Sequence, residues 1–304
     1  MDAKITKKRL AEMLSYDWLK IIAVAIAACI VWVCAFTFTG TGISNTQEFT
    51  VFNHKSNALL SDAFYSLLTN STKDGTFSYE VLETQPVDLA NKGDQANTFY
   101  ESYLGAGVGD LIFVAYSEEE GAESQILLDS YFYHIQPADS FINEMKTYVA
   151  QYYENGNFAN GVMDKAKVET DFRDFVKRTK DKRFKNEKQI SAGLIAEYAR
   201  IQLYADALVE FDGYLSKQYI CYQAMTPTYA EDNTTKNFFL NLCPNFLTMG
   251  NLKKYLYQSV GENHLQTAQN MGVYFLSVPH TEPAYRFESL LFVNKLIRSS
   301  IVAQ

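Results

Sequence analysis

Tryptophan, histidine and cysteine are scarce in this chain of 304 residues, which has 2, 4 and 4 of them. The tryptophans are Trp18 and Trp32, so nothing beyond residue 32 has an indole on which to stack a sugar. The histidines, His54, His134, His264 and His280, stand alone. No H-E-x-x-H pattern and no close Cys/His pairing occurs, so the sequence predicts no metal centre and no cofactor. A G-x-S-x-G elbow for a serine hydrolase is also missing. Paired catalytic carboxylates meet in space and leave no pattern, but nothing here points to them, and the chain is not read as an enzyme. Basic residues are outnumbered, 27 Lys and Arg against 35 Asp and Glu, for a net charge of −8. An acidic body lacks the phosphate-neutralising surface that nucleic-acid binding needs. No internal repeat and no low-complexity tract interrupts a composition that is 47% hydrophobic and 20% charged, ample for a sizeable core.

Charge is unevenly placed. Lys4, Lys7, Lys8, Arg9 and Lys20 exceed Asp2, Glu12 and Asp17, so residues 1–20 are basic, and residues 21–42 carry no charge. Within that stretch Ile21 to Phe38 (IIAVAIAACIVWVCAFTF) has Thr37 as its one polar residue. At about 1.5 Å per residue it covers roughly 27 Å, close to the hydrocarbon thickness of a bilayer. Tyr16 and Trp18 stand where an interfacial aromatic belt belongs, and the basic leader stays on the cytoplasmic side. The sequence therefore predicts a cytoplasmic tail over 1–20, a transmembrane helix over 21–39, a linker over 40–46 and an extracytoplasmic remainder. A core helix would show a polar stripe, and a signal peptide a shorter apolar run with a small-x-small cleavage site. Ile26-Ala27-Ala28-Cys29 resembles a lipobox, but apolar residues continue through Phe38 where a lipoprotein would have a polar linker. Cys221 and Cys243 lie in the compartment that permits a disulfide, and a bond or two thiols are both open.

Strand and helix patterns then alternate. Gln47–Asn53 reads as a strand, Ser56 as the cap of a helix bearing Leu59, Leu60, Ala63, Phe64, Leu67 and Leu68, and Thr76–Leu82 as a second strand. A helix over about 94–104 leads to a third strand, Asp110–Tyr116, apolar enough for a central position. That order implies right-handed crossovers and a mainly parallel sheet. Residues 139–216 read as helical with a break at Asn155–Asn160. Strands return at Tyr219–Ala224, Phe238–Leu242 and Val273–Val278, with helices over about 248–258 and 283–301, the last opening at Pro283. The expected fold is α/β and two-lobed: a sheet lobe over 47–138, a helical lobe over 139–217, and returning strands with a closing helix over 218–304.

QANTFYESYLGAGVGDLIFVAYS, with Gly105, Gly107, Gly109, Asp110 and Leu111–Val114, resembles the type II extracellular solute-binding proteins of ABC transporters. There a helix leads through a Gly-containing turn and an Asp into an apolar strand. ILLDSYFYHIQPADSFI, through Leu128 and Asp129, resembles the leucine-aspartate pairs that follow, and RFESLLFVNKLI resembles the closing helix. The matching segments cover about a third of the chain. The resemblance implies a two-lobed binding protein with a small-molecule ligand and an ABC transporter permease as partner. The family is usually lipid-anchored and often stacks sugars on Trp, and this chain departs from both habits. The whole chain also resembles uncharacterised single-pass proteins of Gram-positive bacteria.

The glycines at 105, 107 and 109 precede a strand instead of following one, which makes them a tight turn and not a phosphate cradle. Glu118, Glu119 and Glu120 read as a solvated loop. Residues 173–188 (RDFVKRTKDKRFKNEK) hold eight basic and three acidic residues, either an exposed helical face or a contact for anionic lipid head groups or wall polymers. A ligand in an α/β fold sits at the carboxyl ends of the strands, where crossovers diverge. Asn53 and His54 after the first strand, and Tyr116 and Ser117 after the third, are the candidate ligand-binding residues, against the ordinary alternative of loop capping. The expected function is membrane-anchored solute binding or ligand sensing. The alternative is an envelope structural or assembly protein that docks on another protein without binding a small molecule.

Overall fold

The computed structural model describes residues 22–29, 31–32, 47–78, 81–93, 95–119, 121–228, 233–260, 264–277 and 287–302. Met1–Ile43 and Ser44–Gln304 form separate compact units. In the first, residues 22–29 and 31–32 are helical. Among the described residues no helix is long and apolar enough to cross a membrane. Much of the span expected at 21–39 lies outside the described residues, as do the tail, the linker, Cys34, Glu120, His280 and Pro283.

The second unit is α/β. Its strands are β1 (Glu48–Asn53), β2 (Leu59–Leu60), β3 (Glu83–Asp88), β4 (Leu111–Ala115), β5 (Ile135–Gln136), β6 (Cys221–Met225), β7 (Lys236–Asn241), β8 (Leu256–Val260), β9 (Leu265–Thr267) and β10 (Met271–Leu276). Its main helices are α1 (Asp62–Asn70), α2 (Gln95–Gly105), α3 (Glu123–Tyr131), α4 (Ala138–Ala150), α5 (Lys165–Thr179), α6 (Glu187–Ser216) and α7 (Glu288–Ser300). The main sheet runs β3-β1-β4-β10-β7-β6, with β5 against β10, and β2, β8 and β9 form a small second sheet. β1 pairs in parallel with β3 and β4, whereas β10, β7 and β6 return antiparallel, so the sheet is mixed.

Alternation along the strands sorts side chains to two faces. Phe49, Val51, Leu111, Phe113, Val273 and Phe275 face one side with α1, α4, α6 and α7 in one continuous core. Phe52, Ile112, Val114, Tyr274 and Leu276 face the other with α2 and α3. The helices of 138–216 thus share the sheet's own core. Side-chain caps fix their starts: Ser61 Oγ accepts from Phe64 N at 3.3 Å, Asp164 Oδ1 from Lys167 N at 3.0 Å, and Asn186 Oδ1 from Gln189 N at 3.0 Å.

Three sequence expectations need correction. The second parallel strand is β3 at 83–88 and not Thr76–Leu82. Phe77 and Val81 go to the core from a loop, and the strand is ETQPVD, an edge strand where Pro86 forfeits no ladder bond. The first helix starts at Asp62, capped by Ser61 and not Ser56, because Leu59 and Leu60 pair with Tyr257 and Leu256. That pairing also replaces the helix expected over 248–258, which is a short helix (Phe246–Met249), a 3-10 turn (Gly250–Lys254) and the β8–β9 hairpin.

The turn expected at the three glycines is present. Gly107 has φ 74° and Gly109 φ 138°. A Cβ on Gly109 would lie 2.9 Å from Leu276 Cδ1 and from Phe52 Cε2. Asp110 Oδ2 accepts from Thr50 N at 2.7 Å, locking the turn to β1.

Candidate functional site

The chain leaves β1 towards α1 on one face of the sheet and leaves β4 towards α3 on the other. Because β1 and β4 are neighbours, their following segments diverge at their carboxyl ends, the switch point of an open α/β sheet. All four residues chosen from the sequence lie there: Asn53 closes β1, His54 follows it, and Tyr116 and Ser117 follow β4.

Their roles differ. Asn53 is buried and its carboxamide is engaged from within: Nδ2 donates to Ala58 O and to Asp88 Oδ1, both at 2.8 Å, and Oδ1 accepts from Leu89 N at 2.7 Å. It braces β1 to the end of β3, the capping alternative. Tyr65 completes the brace by donating to Asp88 Oδ2 at 3.2 Å.

His54 is 1% exposed. Its Nε2 is 2.7 Å from Glu123 Oε2, its Nδ1 is 3.1 Å from the Tyr100 hydroxyl, and its ring stacks on Tyr100 at 5.9 Å. Burial pulls its pKa below the ordinary value and outweighs the bond to Glu123, which pushes the other way. The imidazole is thus neutral at pH 7, with its proton on Nε2 facing the carboxylate and Nδ1 accepting from Tyr100. Tyr100 is buried, and burial holds its hydroxyl protonated far beyond the physiological range.

Glu123 opens α3 and is the residue that sequence reasoning missed. An acidic residue in a first helical turn is an ordinary sequence signal, since it complements the helix dipole. Its pairing with a histidine 69 positions away has no local trace. The carboxylate is 38% exposed at the side chain, so one group engages buried His54 and also reaches the surface. Lys55 Nζ lies 3.9 Å from the same oxygen.

The two pairs of residues are linked through the first turn of α3. Glu123 holds His54, and Ser124 Oγ accepts from Ser117 N at 3.4 Å. Ser117 Oγ accepts from Glu119 N at 3.2 Å, as an ordinary loop residue does. Tyr116 stacks on Phe239 at 5.7 Å and accepts from Gln223 Nε2 at 2.9 Å. Glu123, Lys55, Tyr116 and Ser117 are partly exposed around these strand ends, and His54 is buried. Such a set can hydrogen-bond and stack a small polar solute.

Among the described residues no group of three or more His, Cys, Asp or Glu is placed to hold a metal ion. Cys221 and Cys243 are free thiols, and burial pushes Cys243 up to about 12. No protein-family model, no curated protein and no solved structure matches the chain.

Proposed function

We propose that this chain is a single-pass, membrane-anchored extracytoplasmic protein that binds or senses a small polar solute, in the manner of the solute-binding proteins that serve ABC transporters. The observation that carries the reading is Glu123: a partly exposed carboxylate at the β1/β4 switch point, held by a buried neutral histidine. A carboxylate fixed from behind in this way presents its free oxygen to an amine or hydroxyl without first having to be ordered. The anchor is supported by the uncharged run from Ile21 to Phe38 and its basic leader. The helices of 138–216 share the sheet's core, which supports a site at the strand ends over one between two lobes.

The full chain in detergent, melted against sugars, amino acids and short peptides, tests the reading. A true ligand at a hundred times its Kd stabilises by about 2.7 kcal/mol, on the order of 5–10 °C for a domain of this size. Glu123→Gln should keep the unliganded Tm within a few degrees and lose most of the ligand-induced rise. A flat panel would refute solute binding. It would instead favour an envelope assembly protein that docks on another protein, the reading supported by the internal engagement of Asn53 and His54. Protease added to intact cells should remove the C-terminal body, and a body left untouched would sink the topology.

A further inference from the structure

We propose that the tip between α5 and α6 is a membrane-facing surface that docks on anionic lipid headgroups. The proposal rests on the anchored reading above and deepens it.

The Tyr204 hydroxyl meets Glu288 Oε1 at 2.5 Å, Asn294 Nδ2 meets Ala207 O at 2.8 Å, and Arg298 Nη2 meets Glu210 Oε2 at 2.7 Å. Rising numbers on both helices mean that α6 and α7 run side by side in the same direction. Glu288 also binds Ser78, in the loop before β3, so this level marks the amino edge of the parallel strands. Residues 187–203 of α6 thus project past that edge by about 25 Å at a rise of roughly 1.5 Å per residue. α5 folds back along them: the Tyr198 hydroxyl donates to Lys165 O, and Arg173 pairs with Glu187 at 2.6 Å. The hairpin's far end is the turn from Lys180 to Asn186.

That turn is where the basic segment collects. Lys177, Lys180, Lys182, Lys185 and Lys188 are all exposed. Of the acids here, Glu169 and Glu187 pair with Arg173 and Asp181 pairs with Arg183, while Asp174 is exposed, so the lysines outnumber the remaining acid. A cationic tip on a chain of net charge −8 calls for an anionic partner. Position selects which one. The chain enters the domain at Glu48, on the same amino edge past which the hairpin projects. Lysines near an anionic bilayer are drawn to it by about fivefold in partition each.

The test uses the full chain in nanodiscs of phosphatidylcholine alone or with phosphatidylglycerol, with amide exchange read over 177–188. Exchange should slow severalfold in the phosphatidylglycerol discs only. It should recover at about 0.5 M salt, where screening is short-ranged, and in Lys180→Glu/Lys182→Glu/Lys185→Glu. Equal exchange in both discs would overturn the docking, and so would equal protection by soluble polyphosphate in neutral discs. Incorporation into discs reads the anchor separately. If the chain fails to incorporate, the anchored reading falls, and flotation with vesicles of the same two compositions reads the tip alone. Salt-sensitive flotation on anionic vesicles would then support docking, and its absence would refute it.

Discussion

Lowering the pH should weaken the fold through His54. Two effects act on this ring in opposite directions: burial disfavours the imidazolium, and the Glu123 carboxylate at 2.7 Å favours it. Burial is the larger, so the folded protein binds the proton less readily than the unfolded chain, whose histidine titrates near 6.5. The sign follows directly. Above pH 6.5 both states are neutral and the contribution is fully present. As pH falls below 6.5 the unfolded chain gains a proton that the native site resists, and stability drops by at most about 1.4 kcal/mol per pH unit until the folded pKa is reached. Urea midpoints from pH 7.5 to 5.0 measure the drop. His54→Gln supplies the control, because subtracting its curve removes the carboxylates and the other histidines, whose titration both proteins share. The wild-type excess over the variant should shrink with acidification. If it grew instead, the charged His54–Glu123 pair would be the stabilising form, and the neutral-donor account of the site would be wrong.

Three further outcomes follow from the packing. Gly109→Ala should cost about 2–4 kcal/mol in urea unfolding, since its φ of 138° and the 2.9 Å approaches to Phe52 and Leu276 combine backbone strain with overpacking; a loss under about 1 kcal/mol would contradict the turn. Ser78→Ala should cost about 1–3 kcal/mol, because buried Glu288 loses the hydroxyl that meets it at 2.5 Å, with an unchanged urea midpoint as the refuting result. Cys243, buried and raised to about 12, should resist alkylation at pH 8 in the native protein and react in urea, as peptide mass spectrometry would show.

The sequence made the central strands legible where burial writes a period. LIFVA in β4 and MGVYFL in β10 are buried on both faces and read as apolar runs. The long stripe of α6 likewise survived as one helix of 30 residues. β3 was not legible, because an edge strand needs few apolar residues and ETQPVD has only Val87 buried. The β8–β9 hairpin was hidden for a similar reason: its strand exists because β2 offers an edge at Leu59 and Leu60, a partner nearly 200 positions away. For the candidate site, topology pointed to the carboxyl ends of β1 and β4. What it could not supply was Glu123, whose meaning comes from a helix on the opposite face being brought to His54. Nor could it separate Asn53, a brace, from Tyr116, a partly exposed ring stacked on Phe239.

The placement of these parts bears on what a bound solute would do. β1 runs from the amino edge, where the chain enters at Glu48, to the carboxyl edge, where His54 meets Glu123, and six residues of strand span about 20 Å. The basic tip projects from the first edge and the candidate site lies at the second. If the tip rests on headgroups, the carboxyl edge with His54 and Glu123 is the edge away from the bilayer. Turning that edge onto a permease in the same membrane would then require lifting the cationic tip off the lipid, at a cost of several lysine contacts. On the proposed docking, that energetic bias would favour capture and sensing over direct delivery. It also makes anionic lipid content a control on any delivery that occurs: neutral bilayers should permit it, and charged ones should suppress it.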